Sequence, residues 1–167
     1  SSFTNQHFLI FSQELIPITM DVRQLQMQFL DLARSLLAEG GLGEQFKKVQ
    51  STVGQSLAID VLNNYLGASE ASLTAITQEL EQPKVDFDKL NLYAHRIKGG
   101  SLCIGAQKII DICLEFQRCC QEKTRQGCLR YLHILKQECP TLNEKLRKLL
   151  KLAQEIDAAG AKLPPLE

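Results

Sequence analysis

The 167-residue chain has no tryptophan, 6% aromatic residues and five prolines, two of them at Pro164 and Pro165. So few aromatics beside 44% hydrophobic residues favour aliphatic helix packing over an aromatic-rich β architecture. Net charge is missing as well: 19 Lys+Arg balance 19 Asp+Glu, which argues against a general nucleic-acid binder. No apolar run approaches the ~20 residues that span a bilayer. The first basic residue is Arg23, so the N-terminal stretch lacks the charged region of a signal peptide. A soluble, intracellular chain is expected, with no membrane and no nucleic-acid partner.

The six cysteines all fall between Cys103 and Cys139 and include no Cys-x-x-Cys pair; the adjacent Cys119-Cys120 is poor disulfide geometry. They read as reduced, mostly buried small hydrophobes. His7, His95 and His133 stand at no ligand-like spacing to them, so no metal site is expected. Phosphate-cradling loops are missing too. Gly40-Gly41-Leu42-Gly43 has the wrong register for a dinucleotide loop, and in Lys98-Gly99-Gly100-Ser101 the lysine precedes the glycines. No G-x-S-x-G nucleophile elbow occurs.

What is present is helical periodicity in a length suited to one domain. Leu25, Phe29, Leu32 and Leu36 recur at helical spacing after a plausible cap at Asp21, and Gly40-Gly41 ends that helix. A short helix is predicted over 44–51 and a long one over 56–81, closed by Pro83. Another begins near Asp86 or Asp88 and ends at Gly105; the next covers 106–123. The last covers 128–159, with Pro140 predicting a kink or break. Residues 1–19 form an apolar N-terminal extension, either appended or an extra packed helix, and Pro17 should interrupt any helix there. The tail, 161–167, is expected to be flexible. The fold class is all-α: an antiparallel four-helix bundle with additional N-terminal helices.

The chemistry concentrates in His95-Arg96-Ile97-Lys98-Gly99-Gly100-Ser101. At ~100° per residue, Leu90, Ala94, Ile97, Ser101 and Ile104 share a narrow arc. His95 falls roughly 140° from Leu90, with Asp88, Leu92, Gly99 and Leu102. A core histidine would lie on the apolar arc, and this one does not. An imidazole with a cation three residues on and no side chain four residues on is suited to phosphorylation by another protein. Leu92 and Leu102 on that polar face read as a docking patch with Arg96 and Asp88. From His95 onward there are 13 Lys+Arg against 8 Asp+Glu, and 6 against 11 before it, so the histidine lies in the basic half. His133, in an apolar-rich stretch, reads as structural. Lys145, Arg147, Lys148 and Lys151 read as a solvated stripe.

The run His95 to Ala106 resembles the signature His-Gln-Leu-Lys-Gly-Ser-Ser-Ser-Ser-Ile-Gly-Ala of plant-type histidine phosphotransfer proteins. These are shuttles of multistep two-component relays, as in cytokinin signalling. Met20-Asp21-Val22, Glu44-Gln45-Phe46, Cys113-Leu114-Glu115-Phe116 and Gly127-Cys128-Leu129 fall in the family's order, so the resemblance covers 20–160. It implies that His95 is the phosphoacceptor, Lys98 balances its charge and Gly99 keeps the approach clear. The implied partners are the receiver domain of a hybrid histidine kinase and response regulators. Mg²⁺ would sit in the receiver, with no cofactor and no kinase activity in this monomeric chain, which would be cytoplasmic and nuclear. Arg96 stands where the family has Gln, Gly100 where it has Ser, and Leu102 and Cys103 replace further serines. The paired glycines predict fraying after Lys98. The alternative is a divergent adaptor that binds receivers and damps the relay.

Overall fold

Six helices and one π-helical turn carry the chain in the computed structural model, which describes the backbone of residues 2–166 and the side chains of residues 21–166. They are α1 (Ser2–Glu39), α2 (Glu44–Lys48), the π turn (Val49–Val53), α3 (Gln55–Leu80), α4 (Phe87–Ile104), α5 (Gln107–Gln121) and α6 (Arg125–Ala158). Helices α3 and α5 each pack against both α4 and α6, which closes a four-helix ring. Helix α1 lies on α6, and α2 sits against α4. This is the expected bundle with added N-terminal helices.

The sequence marks most of the ends. Asp86 caps α4, its carboxylate accepting from the N–H groups of Asp88 at 3.1 Å and Lys89 at 3.2 Å. At the other end Gly105 takes a left-handed conformation (φ 75°), and the Ala106 N–H donates to the Ser101 carbonyl at 2.9 Å. Thr124 caps α6 by accepting from the Gly127 N–H at 3.2 Å, so the helix starts three residues before the predicted Cys128.

Several expectations are corrected. Helix α1 passes through Asp21, which is therefore not a cap, and its bounds include Pro17, where an interruption was expected. How the side chains of residues 1–20 pack lies outside the described residues. Pro140 neither breaks α6 nor ends it. It sits on the exposed face, where the carbonyl it leaves without a donor faces water, and the next residue, Thr141, hydrogen-bonds the Gln137 carbonyl at 2.8 Å. The tail is not loose. Leu163 and Leu166 are buried, the Lys162 carbonyl accepts from Gln26 at 2.8 Å, and the Pro164 carbonyl accepts from Gln50 at 2.7 Å. The Leu163 N–H donates to Gln55 at 2.9 Å. Two apolar side chains and four bonds to three glutamines, Gln55 also donating to the Ala161 carbonyl at 3.0 Å, offset the entropy of ordering a short segment.

Phe29, Phe46 and Phe116 are fully buried among leucines and isoleucines from all the helices. Two polar clamps cross this core. The Tyr65 hydroxyl meets the Ser101 hydroxyl at 3.0 Å, joining α3 to α4, and Asn143 donates to Ser69 at 3.1 Å, joining α6 to α3. Five of the six cysteines are buried and all are free, as expected. Three residues of the basic stripe on α6 are paired: Lys145 with Glu39 at 2.6 Å, Arg147 with Glu70, and Lys148 with Glu144 at 3.8 Å. His133 is exposed, 3.3 Å from the Gln137 amide, rather than packed in the core.

Candidate functional site

The rotation of α4 about its own axis decides what His95 faces. Leu90, Ala94, Ile97, Ser101 and Ile104 are all at most 1% exposed, as the helical wheel predicts. Burial of Leu90, Ile97 and Ile104 contributes about 1.5–3 kcal/mol each. That anchors the helix against turning and leaves His95 outside. Leu92 and Leu102 are 47% and 48% exposed beside it, and Asp88 is exposed two turns earlier.

His95 is the ninth of the 18 residues of α4, in the middle of the helix. Near the C-terminal end the helix dipole would oppose an added anion. At mid-helix that opposition is weak, because the dipole's effect is confined to the first and last turns.

Gly99, one turn after His95, has nothing within 4 Å of where a Cβ would stand. Its lack of a side chain relieves no contact inside the chain. The two glycines therefore differ, because a Cβ on Gly100 would come within 3.0 Å of the Tyr65 ring. Helix α4 does not fray after Lys98; it continues to Ile104. Tyr65 packing on Gly100 and bonding to Ser101 clamps that turn, while Ser101 also donates to the Ile97 carbonyl at 2.7 Å. Burial pushes the Tyr65 phenol up, with the Ser101 hydrogen bond opposing that in part. It stays protonated through the physiological range.

Two cations flank the His95 stripe on opposite sides. Arg96 leans toward α3, with its guanidinium 5.7 Å from the Tyr93 ring centroid. Lys98 lies toward α5: the thiol of Cys113 there is pushed up to about 12, mainly by burial and next by Cys139, and the Lys98 charge pulls the other way. Among the described residues neither Arg96 nor Lys98 is paired with a carboxylate. No group of three or more His, Cys, Asp or Glu among the described residues is placed to hold a metal.

The comparisons agree with this geometry. The family model described as Hpt domain matches residues 60–145, just over half the chain, with His95 inside it. Histidine-containing phosphotransfer protein 1 of rice is 32% identical over 146 residues, covering 86% of this chain and 99% of that protein. The chain belongs to the histidine phosphotransfer family.

Solved structures of the family share its shape. A histidine-containing phosphotransfer protein from rice superposes with a TM-score of 0.75 at 32% identity, covering 82% of this chain and 99% of the other. A pseudo histidine-containing phosphotransfer protein of Arabidopsis thaliana is 31% identical over 150 residues, covering 87% of this chain. Overall similarity to the phosphotransfer fold thus does not separate carriers from the proteins named pseudo, and the residues at the site have to.

Sequence reasoning missed the residues that brace this candidate site. Tyr65 carried no motif, yet it is the side chain that seats Gly100. Gly43 is a second case: its N–H donates to the Ile104 carbonyl at 2.9 Å, and a Cβ on Gly105 would lie 2.6 Å from the Gly43 Cα. The loop before α2 therefore clasps the end of α4. The Gly40–Gly43 run was a visible signal for a close approach, but its partner was not visible.

Proposed function

We propose that His95 accepts a phosphoryl group from the aspartyl phosphate of one receiver domain and passes it to the aspartate of another. The observation that carries this is an exposed imidazole on a rigid helix, with open space at Gly99 and, on Lys98, an ammonium with no carboxylate partner among the described residues. The Nε2 lone pair forms the N–P bond as the acyl P–O bond breaks, leaving its electron pair on the receiver carboxylate. The return step is the same reaction run toward a second carboxylate. Lys98, one turn on, offsets the negative charge that the ring acquires. The receiver supplies the aspartate and Mg²⁺, since little protein chemistry is required beyond alignment and charge balance. The donor on this reading is a hybrid kinase receiver, the acceptor is a response regulator, and the chain itself has no kinase activity.

The test is transfer from a phosphorylated receiver with Mg²⁺ to the wild type and to His95→Gln. An acid-labile, base-stable label on the wild type alone is the expected result. A wild type that binds receivers yet takes no label would replace this reading with the damping adaptor.

A further inference from the structure

The corner where α5 turns into α6 gathers three buried thiols. Cys119 and Cys120 come from the last turn of α5, and Cys128 comes from the first turn of α6. The sulfurs of Cys120 and Cys128 lie 3.8 Å apart, and both thiols are free. No other two cysteines among the described residues bring their sulfurs into such contact. We propose that Cys120 and Cys128 form an oxidation site for hydroperoxides, which convert the pair to a disulfide joining α5 to α6. The proposal is independent of the phosphotransfer reading.

Contact, activation and access single out this pair. A disulfide bond is about 2.05 Å long, so closing it needs about 1.75 Å of approach, within reach of thiol rotation and a slight shift of either helix end. Gly127 leaves the room for it. A Cβ there would stand 2.6 Å from the Cys119 sulfur, so a larger residue would wedge the two helices apart.

Cys128 is the thiol prepared to react. It is the fourth residue of α6, and its Cβ tilts toward the N-terminal end, where the helix dipole favours an anion. A hydrogen bond donated by the Cys120 thiol holds the Cys128 thiol below its ordinary value, against the opposing effect of burial.

Access comes through the turn above the pair. Residues 121–123 are exposed, and Lys123 holds a left-handed backbone (φ 54°) of the kind that favours glycine. Arg125 and Gln126 are exposed as well, so little buried surface resists a brief opening of the first turn of α6. Hydrogen peroxide is small enough to enter by that route, whereas a bulky thiol reagent finds only Cys103.

The reaction runs in two steps. The Cys128 thiolate attacks one oxygen of the peroxide and the O–O bond breaks. The departing hydroxide takes the proton that the thiol released, and Cys128 is left as a sulfenic acid. The Cys120 sulfur then attacks the Cys128 sulfur, and the S–S bond forms as the S–O bond breaks. The sulfenic hydroxyl leaves as water with the Cys120 proton. Two thiols have lost two electrons, and one peroxide has gained them to end as two waters.

The experiment uses the full chain carrying Cys103→Ser, which removes the exposed thiol as a competing site. The native protein is treated with hydrogen peroxide, its remaining thiols are alkylated after unfolding, and its tryptic peptides are weighed. We expect residues 119–123 joined to residues 126–130 by one disulfide that dithiothreitol reverses. Cys120→Ser should abolish the link and Cys119→Ser should leave it, which assigns the bond within a peptide that holds both cysteines. Cys119→Ser also places a buried serine in the same corner, so it controls for destabilisation. The oxidised chain should melt higher than the reduced one, with the difference erased by dithiothreitol. A native chain that keeps both thiols would overturn the proposal, as would a link that persists in Cys120→Ser. So would a link that forms only in denaturant, because the folded contact would then play no part.

Discussion

Replacing Gly99 by alanine separates what this residue does for the helix from what it does for a partner. Inside α4 an alanine is better than glycine by about 0.8–1.0 kcal/mol. Nothing stands within 4 Å of the new methyl group, so no clash subtracts from that gain. In a chain of this size about 1 kcal/mol moves the melting temperature by about 2–4 °C. Gly99→Ala should therefore melt slightly higher than the wild type. The same methyl group projects into the path of a receiver approaching His95 one turn away. In-line transfer tolerates little displacement: about 1 Å of misplacement can cost about 10²-fold in rate. Transfer from a phosphorylated receiver should fall by about 10–100-fold, followed as label gained by His95 in a rapid-quench assay. Gly67→Ala is the matched control, since Gly67 also lies inside a helix with open space around it, but on α3. It should gain the same stability and transfer at the wild-type rate. Equal transfer rates for Gly99→Ala and Gly67→Ala would refute the reasoning, and so would a lowered melting temperature for Gly99→Ala.

Gly105→Ala should be strongly destabilising, by more than about 2 kcal/mol, because it combines a left-handed backbone with a Cβ 2.6 Å from the Gly43 Cα; denaturant unfolding would show it. Tyr65→Phe should cost about 0.5–1.5 kcal/mol in the same assay, since Ser101 keeps its bond to the Ile97 carbonyl when the phenol is lost. A thiol reagent should modify one cysteine, Cys103, in the native chain and all six after unfolding. The buried thiols of Cys113 and Cys139 are raised from 9.0 to about 12 by burial first. Between those values the unfolded chain releases protons that the folded chain retains, so stability should fall as pH rises from about 9 to about 12. A melting temperature flat across that range would contradict the burial of these thiols.

The face of α4 was legible because five apolar or small residues at helical spacing leave one orientation open, and His95 is excluded from it. The end at Gly105 was legible, and the start was narrowed to Asp86 or Asp88, because each relies on a local hydrogen bond or a local dihedral angle. What could not be read depends on partners distant in sequence. Tyr65 and Ser101 are 36 residues apart and Asn143 and Ser69 are 74 apart, and neither pair leaves a pattern along the chain. Pro140 does not break α6, because a helix tolerates proline on the face where its carbonyls meet water, and that face is known only once the bundle is built. The tail was misread for a similar reason: its composition suggests a loose end, but the glutamines that hold it lie over a hundred residues away.

Those tail contacts bear on the order in which the chain can fold. The Gln26 bond to Lys162 spans 136 residues, nearly the full length of the chain, and it joins α1 to the segment after α6. During synthesis α3, α4 and α5 can find one another as they emerge, through contacts between neighbours in sequence. The junction of α1, the π turn and α3 has to wait for residues 161–166. Because the three glutamines bond to backbone atoms of the tail, the path of this segment is specified while most of its side chains are not. Leu163 and Leu166 are the two positions where a change of side chain should be felt. A chain ending just short of them should keep α1 on α6 but lose the Gln50 bond to the tail.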